Sequence, residues 1–417
     1  MTDTSDRVAL DSTVRSAVAE TTITDIHTHL FPPAHGNLLL WGPDELLTYH
    51  YLVAELFTVA PRSLTPEKYW TMPKASQADL VWEHVFLRGG ALSEAARGAV
   101  TTLAALGLDV ASRDLNTMRK QFTGQTADEY LERVFKLANI DYAVMTNNPF
   151  DTTEAGCWHK DVPVPARLKT ALRVDALLLK WPEAAKAMIE AGYKIAVEPA
   201  SADFAEVRRF LGDWIDRIAP MYMAASLPET FCYPGGGEST EILEEVVLPV
   251  AIAHKLPVAM MMGVKRGMNP PLKDCGDGVG VADVGAVAGL CAKYPEAKFI
   301  VTMLSRVNQH ELCVTARKFG NLHVEGCWWF CNNPSIVEEI TRMRLEMLGT
   351  AFTCQHSDAR VLDQLIYKWS HTRKIVADVL ADKYGLLFDA GWRPIVDEIR
   401  RDVRAIFGGS FEAFLVK

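Results

Sequence analysis

From residue 140 onward, short apolar runs alternate with longer amphipathic stretches. The runs 140–145, 170–174, 221–225, 257–261, 299–303 and 321–325 are short, and they read as buried strands. Between them, segments such as 239–253 and 334–348 repeat their apolar positions at helical spacing. Two further runs, 22–26 near the start and 351–354 near the end, bring the strands to eight. Strands alternating with helices imply a parallel sheet. Eight of them predict an α/β fold, a (β/α)8 barrel of the TIM type.

The alternation is interrupted once. Residues 31–139 separate the first two strands and are mostly helical in pattern, at 43–57, 76–87, 93–106 and 128–138. Pro61, Pro66 and Pro73 punctuate them. A barrel connection is normally a few residues. We therefore expect 31–139 to be a large helical insertion within a single barrel domain spanning 1–417. Strand-to-helix loops emerge at the catalytic mouth, so the insertion should cover it. Residues 361–407 read as two long amphipathic helices that complete the outer ring.

A net charge of -9 argues against a nucleic-acid surface. No run approaches the roughly 20 apolar residues of a membrane span. Nucleic acid and membrane are therefore not expected partners. The opening Met1-Thr2-Asp3-Thr4-Ser5-Asp6 has no basic region followed by an apolar stretch, and the eight cysteines form no Cys-x-x-Cys pair. Both point to a reduced, cytoplasmic protein.

The polar residues at strand ends carry the candidate chemistry. Side chains on a strand alternate faces, so His27 and His29 project together. Asp358 follows the last strand. If the barrel closes, first and last strands are neighbours, and His27, His29 and Asp358 can share one cation. Asp358 is also a plausible helix cap for the segment that follows. His50 and Tyr51 lie on a helical pattern of the insertion. Adjacent helical positions differ by about 100°, so we expect at most one to point squarely at the site. Their types suit proton transfer and hydroxyl contact. Arg173 lies in an apolar run and must find an anion, either Asp175 or a substrate carboxylate. Arg360 poses the same question, and two arginines at one mouth would suit a carboxylate. Gly235-Gly236-Gly237 lacks a P-loop lysine and reads as a turn. Cys327 and Cys331 read as core, with Trp328 and Trp329 as pocket wall. His254, His310 and His371 read as surface or packing residues, while His323, on a strand, stays a site candidate.

These features together resemble the uronate (glucuronate) isomerase family of the amidohydrolase superfamily, over nearly the whole chain. The segments that carry the resemblance are Asp25-Ile26-His27-Thr28-His29-Leu30, Tyr49-His50-Tyr51-Leu52, Arg173-Val174-Asp175, Trp328-Trp329-Phe330, Ser357-Asp358-Ala359-Arg360 and His371-Thr372-Arg373. Pro66-Glu67-Lys68-Tyr69-Trp70 and 75–80 are similar in character to the family's helical lid. The resemblance implies that His27, His29 and Asp358 hold one divalent ion, zinc being the expectation. It implies that His50, Tyr51, Arg173, Arg360 and one of Trp328 and Trp329 line a sugar-acid site, with Asp358, His50 and Tyr51 in the chemistry. The fourth strand ends in Ala224-Ala225-Ser226, without the lysine that binuclear amidohydrolases often carboxylate, which fits a mononuclear site. One departure stands out. The family has a His near the end of the fifth strand, where this chain reads Met260-Met261-Met262-Gly263. Methionine does not replace imidazole on a hard or borderline cation.

The reaction implied is aldose–ketose isomerisation of a hexuronate, glucuronate to fructuronate or galacturonate to tagaturonate. A metal-dependent hydrolase or decarboxylase acting on another carboxylated substrate is the alternative on the same scaffold. A barrel that binds a ligand without turnover is a third. A homo-oligomer is compatible with all three.

Overall fold

The structure, a computed structural model, describes residues 6–160, 162–198 and 203–417. The acidic residues 1–5 noted above lie outside them. Among the described residues nine strands form one sheet: β1 Ile23–Thr28, β2 Ile140–Asn147, β3 Leu168–Arg173, β4 Met223–Pro228, β5 Val258–Lys265, β6 Gly278–Val279, β7 Phe299–Met303, β8 Leu322–Glu325 and β9 Phe352–Thr353. Eight of them run parallel in chain order from β1 to β9, and the two-residue β6 is an antiparallel arm on β5. With the helices between them they form the expected (β/α)8 barrel. Two backbone hydrogen bonds join its ends, His29 N–H to Ala359 O at 2.8 Å and Asp358 N–H to His27 O at 3.1 Å.

Inside the lower barrel, Ile26, Val144, Ala171, Ala224, Ala259 and Ile300 each come from a different strand and pack as one buried cluster. Phe411 and Phe414 of helix Ser410–Val416 complete it from below. Glu412 ties this helix to the barrel by accepting from Thr24 Oγ1 at 2.9 Å and Tyr142 OH at 3.0 Å. The C-terminal region therefore differs from the two long helices expected. Helix Gln364–Asp389 is long, but Val396–Arg404 ends early. The chain then bends at Gly408, at φ 125°, where a Cβ would meet Thr24 Cβ at 2.4 Å.

The insertion holds several short helices. The pattern at 43–57 splits into Pro43–Leu47 and His50–Val59, because Tyr49 is extended. Helices Glu94–Ala105 and Ala127–Ala138 pack against Gln364–Asp389. Buried Asp363 fastens this layer by accepting from Gly42 N–H at 2.8 Å and Tyr130 OH at 2.6 Å. On the other side, Trp70 donates to Pro271 O at 3.0 Å, in the loop that follows β5. Among the described residues, no helix is long and apolar enough to cross a membrane. Five of the eight cysteines are buried, Cys327 and Cys331 among them, and Cys232 is exposed.

Candidate active site

The end of β1 and the turn after β9 meet where the barrel closes. There His27, His29 and Asp358 each offer a ligand atom, all within 4.8 Å of one another. Asp358 Oδ1 lies 3.6 Å from His27 Nε2 and 3.2 Å from His29 Nε2. The tautomers follow from what lies behind each ring. Tyr222 OH donates to Ile26 O at 2.7 Å and sits 3.3 Å from His27 Nδ1. Thr146 Oγ1 donates to Thr28 O at 3.1 Å and sits 2.9 Å from His29 Nδ1. Each hydroxyl has given its own proton away, so it accepts Nδ1–H and leaves Nε2 with a bare lone pair. Three acceptors then face one point, and His27 Nε2 and Asp358 Oδ1 have no hydrogen-bond partner. Only a proton or a cation relieves such an arrangement. Burial pulls the His29 pKa down to about 3, which keeps the ring a neutral ligand.

Asp358 is itself held in an unusual backbone state, with φ at 52°. Asp tolerates that left-handed region better than most residues, and such strain gathers at working sites. Buried Asp25 fixes the turn by accepting from Ser357 N–H at 3.0 Å and Trp369 Nε1 at 2.8 Å. Below the cluster lies a buried ion pair of His356 and Glu325, with the His356 ring 5.2 Å from that of His27. Gly326, at φ 62°, is required here, because a Cβ would overlap His356.

The insertion reaches the same mouth. Helix His50–Val59 begins at His50, so both its first residues face inward, where we expected at most one. The His50 ring lies 5.1 Å from Trp329, and Tyr51 packs on the cluster of Met261, Val264, Leu304, Trp328 and Trp329. His50 Nε2, Tyr51 OH and Trp329 Nε1 are buried without a partner. Met261 thus faces the mouth cluster, while Met260 and Met262 pack into the outer core. Arg173 pairs with Asp175, Nε to Oδ2 at 2.9 Å, as the internal alternative had it. Arg360 reaches Asp274 at 3.0 Å, in the loop after β5. His323 is corrected from a site candidate to part of the floor. It bonds Thr353 Oγ1 at 2.9 Å and stacks on Phe414.

No protein-family model matches the chain, and no curated protein sequence does. Solved structures do. A uronate isomerase from Bacillus halodurans C-125 is 48% identical, with a TM-score of 0.96, over 99% of this chain and 97% of its own. The chain belongs to the uronate isomerase family. Two more distant structures share the fold. A uronate isomerase from Thermotoga maritima is 14% identical with a TM-score of 0.78, over 97% of each chain. A glucuronate isomerase from Caulobacter crescentus is 16% identical with a TM-score of 0.73, over 99% of this chain and 95% of its own.

For a uronate isomerase family member, the sequence left out several residues around the site. Glu325, His356, Trp369 and Lys368 all pack near it and none stood out as a motif, while Asp25 stood in the His27 segment without a role. The available signal was polarity in apolar surroundings, since a charged residue there must have a partner or a task.

Proposed function

We propose that this enzyme interconverts an acyclic hexuronate aldehyde and its 2-keto isomer, glucuronate with fructuronate or galacturonate with tagaturonate. It does so at one divalent ion, assigned as zinc, held by His27, His29 and Asp358. The observation that carries this reading is the convergence of three acceptors on one point, those of His27 and Asp358 buried and that of His29 half-buried, in a chain 48% identical to a uronate isomerase. Two neutral imidazoles and a carboxylate suit a borderline cation and leave coordination positions for substrate. When bound, the ion supplies polarisation of substrate oxygens.

The chain's own residues handle the protons. The C2–H bond breaks and a C1–H bond forms, while the O2 hydroxyl proton passes to O1, through an enediol. Asp358 takes the C2 proton, exchanges it in part with solvent and delivers a proton to C1; Oδ1 faces the imidazoles, which leaves Oδ2 for this task. His50 and Tyr51 orient the O1 and O2 groups and exchange their protons. Arg173 and Arg360 hold the substrate carboxylate, and Trp328 and Trp329 wall the sugar. Residues 31–139 act as a lid that excludes water, docked through Trp70 on the loop after β5. On this reading the enzyme works in the cytoplasm on a small sugar acid.

Incubation of the metal-supplemented protein with glucuronate and with galacturonate in deuterated water, followed by NMR, tests the reading. We expect the keto isomer, with deuterium entering at the transferred carbon. Absence of both product and exchange for either sugar acid would overturn it.

A further inference from the structure

Helix Gln364–Asp389 starts soon after the turn that carries Asp358, and its first residues are almost all buried. Among them Lys368 is 2% exposed. Its Nζ has no hydrogen-bond partner among the described residues. Among the described residues, no carboxylate lies within ion-pair distance of it. Two aromatic rings lie beside it, that of Tyr51 at 5.3 Å and that of Tyr367 at 5.9 Å. Asp358, Asp25 and Glu94 act on it from further away, and burial outweighs them, pulling its pKa down to about 8.

An amine in the interior with no carboxylate partner costs stability. Folding therefore does not explain its presence. Tyr51 gives a reason, because its hydroxyl is also buried and unpartnered. Tyr367, the other ring within reach, packs on Gly98, where a Cβ would meet its ring at 2.4 Å. A cation on an aromatic face interacts more strongly as negative charge builds on the ring oxygen.

We propose that Lys368 is a positioning residue of the active site, which holds the Tyr51 ring and offsets negative charge that builds on its hydroxyl. The inference rests on the reading above, in which Tyr51 meets the substrate. Met at 368 keeps the volume and removes the charge, while Arg keeps the charge. A buried unpartnered amine that serves catalysis is a site of trade-off between activity and stability.

The test uses the full chain with added divalent ion. Lys368→Met and Lys368→Arg are made alone and combined with Tyr51→Phe, then measured for hexuronate isomerisation and for thermal unfolding. In Lys368→Met we expect kcat to fall about tenfold with KM held within about twofold. Lys368→Arg should recover most of that loss. In the Tyr51→Phe background the same Met change should cost less than about twofold, since the residue it acts through is gone. The Tm of Lys368→Met should equal or exceed that of the parent by about 1–2 °C. Equal losses of kcat in both backgrounds would overturn the proposal. So would a lowered Tm with activity lost in step, which is what a packing role produces. If the parent protein turns over no hexuronate, the functional reading falls and this inference falls with it, whereas an active parent with any of the contrary results above overturns this inference alone.

Discussion

Arg173→Lys separates a carboxylate-binding arginine from a structural one. The guanidinium is braced at one edge, because Nε bonds Asp175 Oδ2 at 2.9 Å. Asp175 is braced in turn, since its Oδ1 accepts from Ser226 N–H at 2.6 Å. The pair holds Asp175 below the usual carboxylate range despite its burial, and Asp175 holds Arg173 above its ordinary pKa. That leaves the two terminal nitrogens of Arg173 for a substrate carboxylate. Lysine is a single point charge, so it can renew the contact with Asp175 or reach the substrate, but not both with a fork. The change removes about one charge-assisted hydrogen bond, on the order of 1.5–3 kcal/mol. Converted to affinity, glucuronate should bind about 10–150-fold more weakly. Glucose, the parent sugar without the carboxylate, should change by less than about twofold as an inhibitor, because it never used the fork. Inhibition constants for the two sugars, with circular dichroism to confirm the fold, make the comparison. Equal weakening for both ligands would mean that Arg173 supports the wall and not the carboxylate.

Asp358→Asn should abolish turnover, by at least about 1000-fold in kcat, while the far-ultraviolet spectrum is unchanged; near-normal kcat in metal-replete protein would remove Asp358 from the mechanism. A chelator should lower activity and a divalent ion restore it, and Met261→His should tighten metal binding where Met262→His does not, because only Met261 packs in the mouth cluster. Metal analysis of both variants is the check, and tighter binding in the 262 variant would contradict the assigned facing. Glu154 gives a pH prediction. It is buried, accepts from Asn147 Nδ2 at 3.0 Å and Trp158 Nε1 at 3.3 Å, and burial pushes its pKa from 4.5 up to about 7. The folded state thus keeps its proton to higher pH than the unfolded chain. Its contribution is fully present below the unfolded value and is lost as pH rises through about 7, by on the order of 3 kcal/mol. Glu154→Gln should flatten that part of the stability profile in urea titrations at pH 5 and 7.5, and an unaltered slope would count against it.

His27, His29 and Asp358 were legible because two simple rules place them. Period-two alternation puts both imidazoles on one face, and barrel closure brings the ends of the first and last strands together. The partition of the methionines followed from the same alternation, although sequence left open whether 261 or 262 faced inward. His50 and Tyr51 were judged on a helix assumed to run through 43–57. The extended Tyr49 restarts the helix at His50, and angular spacing within one uninterrupted helix no longer describes how the pair presents itself. Glu325, His356 and Lys368 were harder. A buried pair or an orphan amine is defined by what lies opposite it, and those partners sit on other strands or in the insertion. His323 shows the converse. It occupies a strand position like the ligands do, but two residues before Glu325 on β8, which lowers it to the level of Phe414.

The junction between the first and last strands has a mechanical consequence. Elsewhere in the barrel, neighbouring strands such as β2 and β3 run in register over five residue pairs. The junction has two backbone bonds, and both lie at the level of the ligands. It is a short zipper, like the two-pair ladders β3–β4 and β8–β9, and thermal opening of the barrel can begin there. The candidate ligands straddle it, two on one side and one on the other. A cation held by all three would act as a rivet across the split. The amides of His29 and Asp358 should then exchange with solvent slowly in metal-loaded protein and much faster after chelation. The ion proposed to organise substrate oxygens would thereby also set how often the barrel breathes.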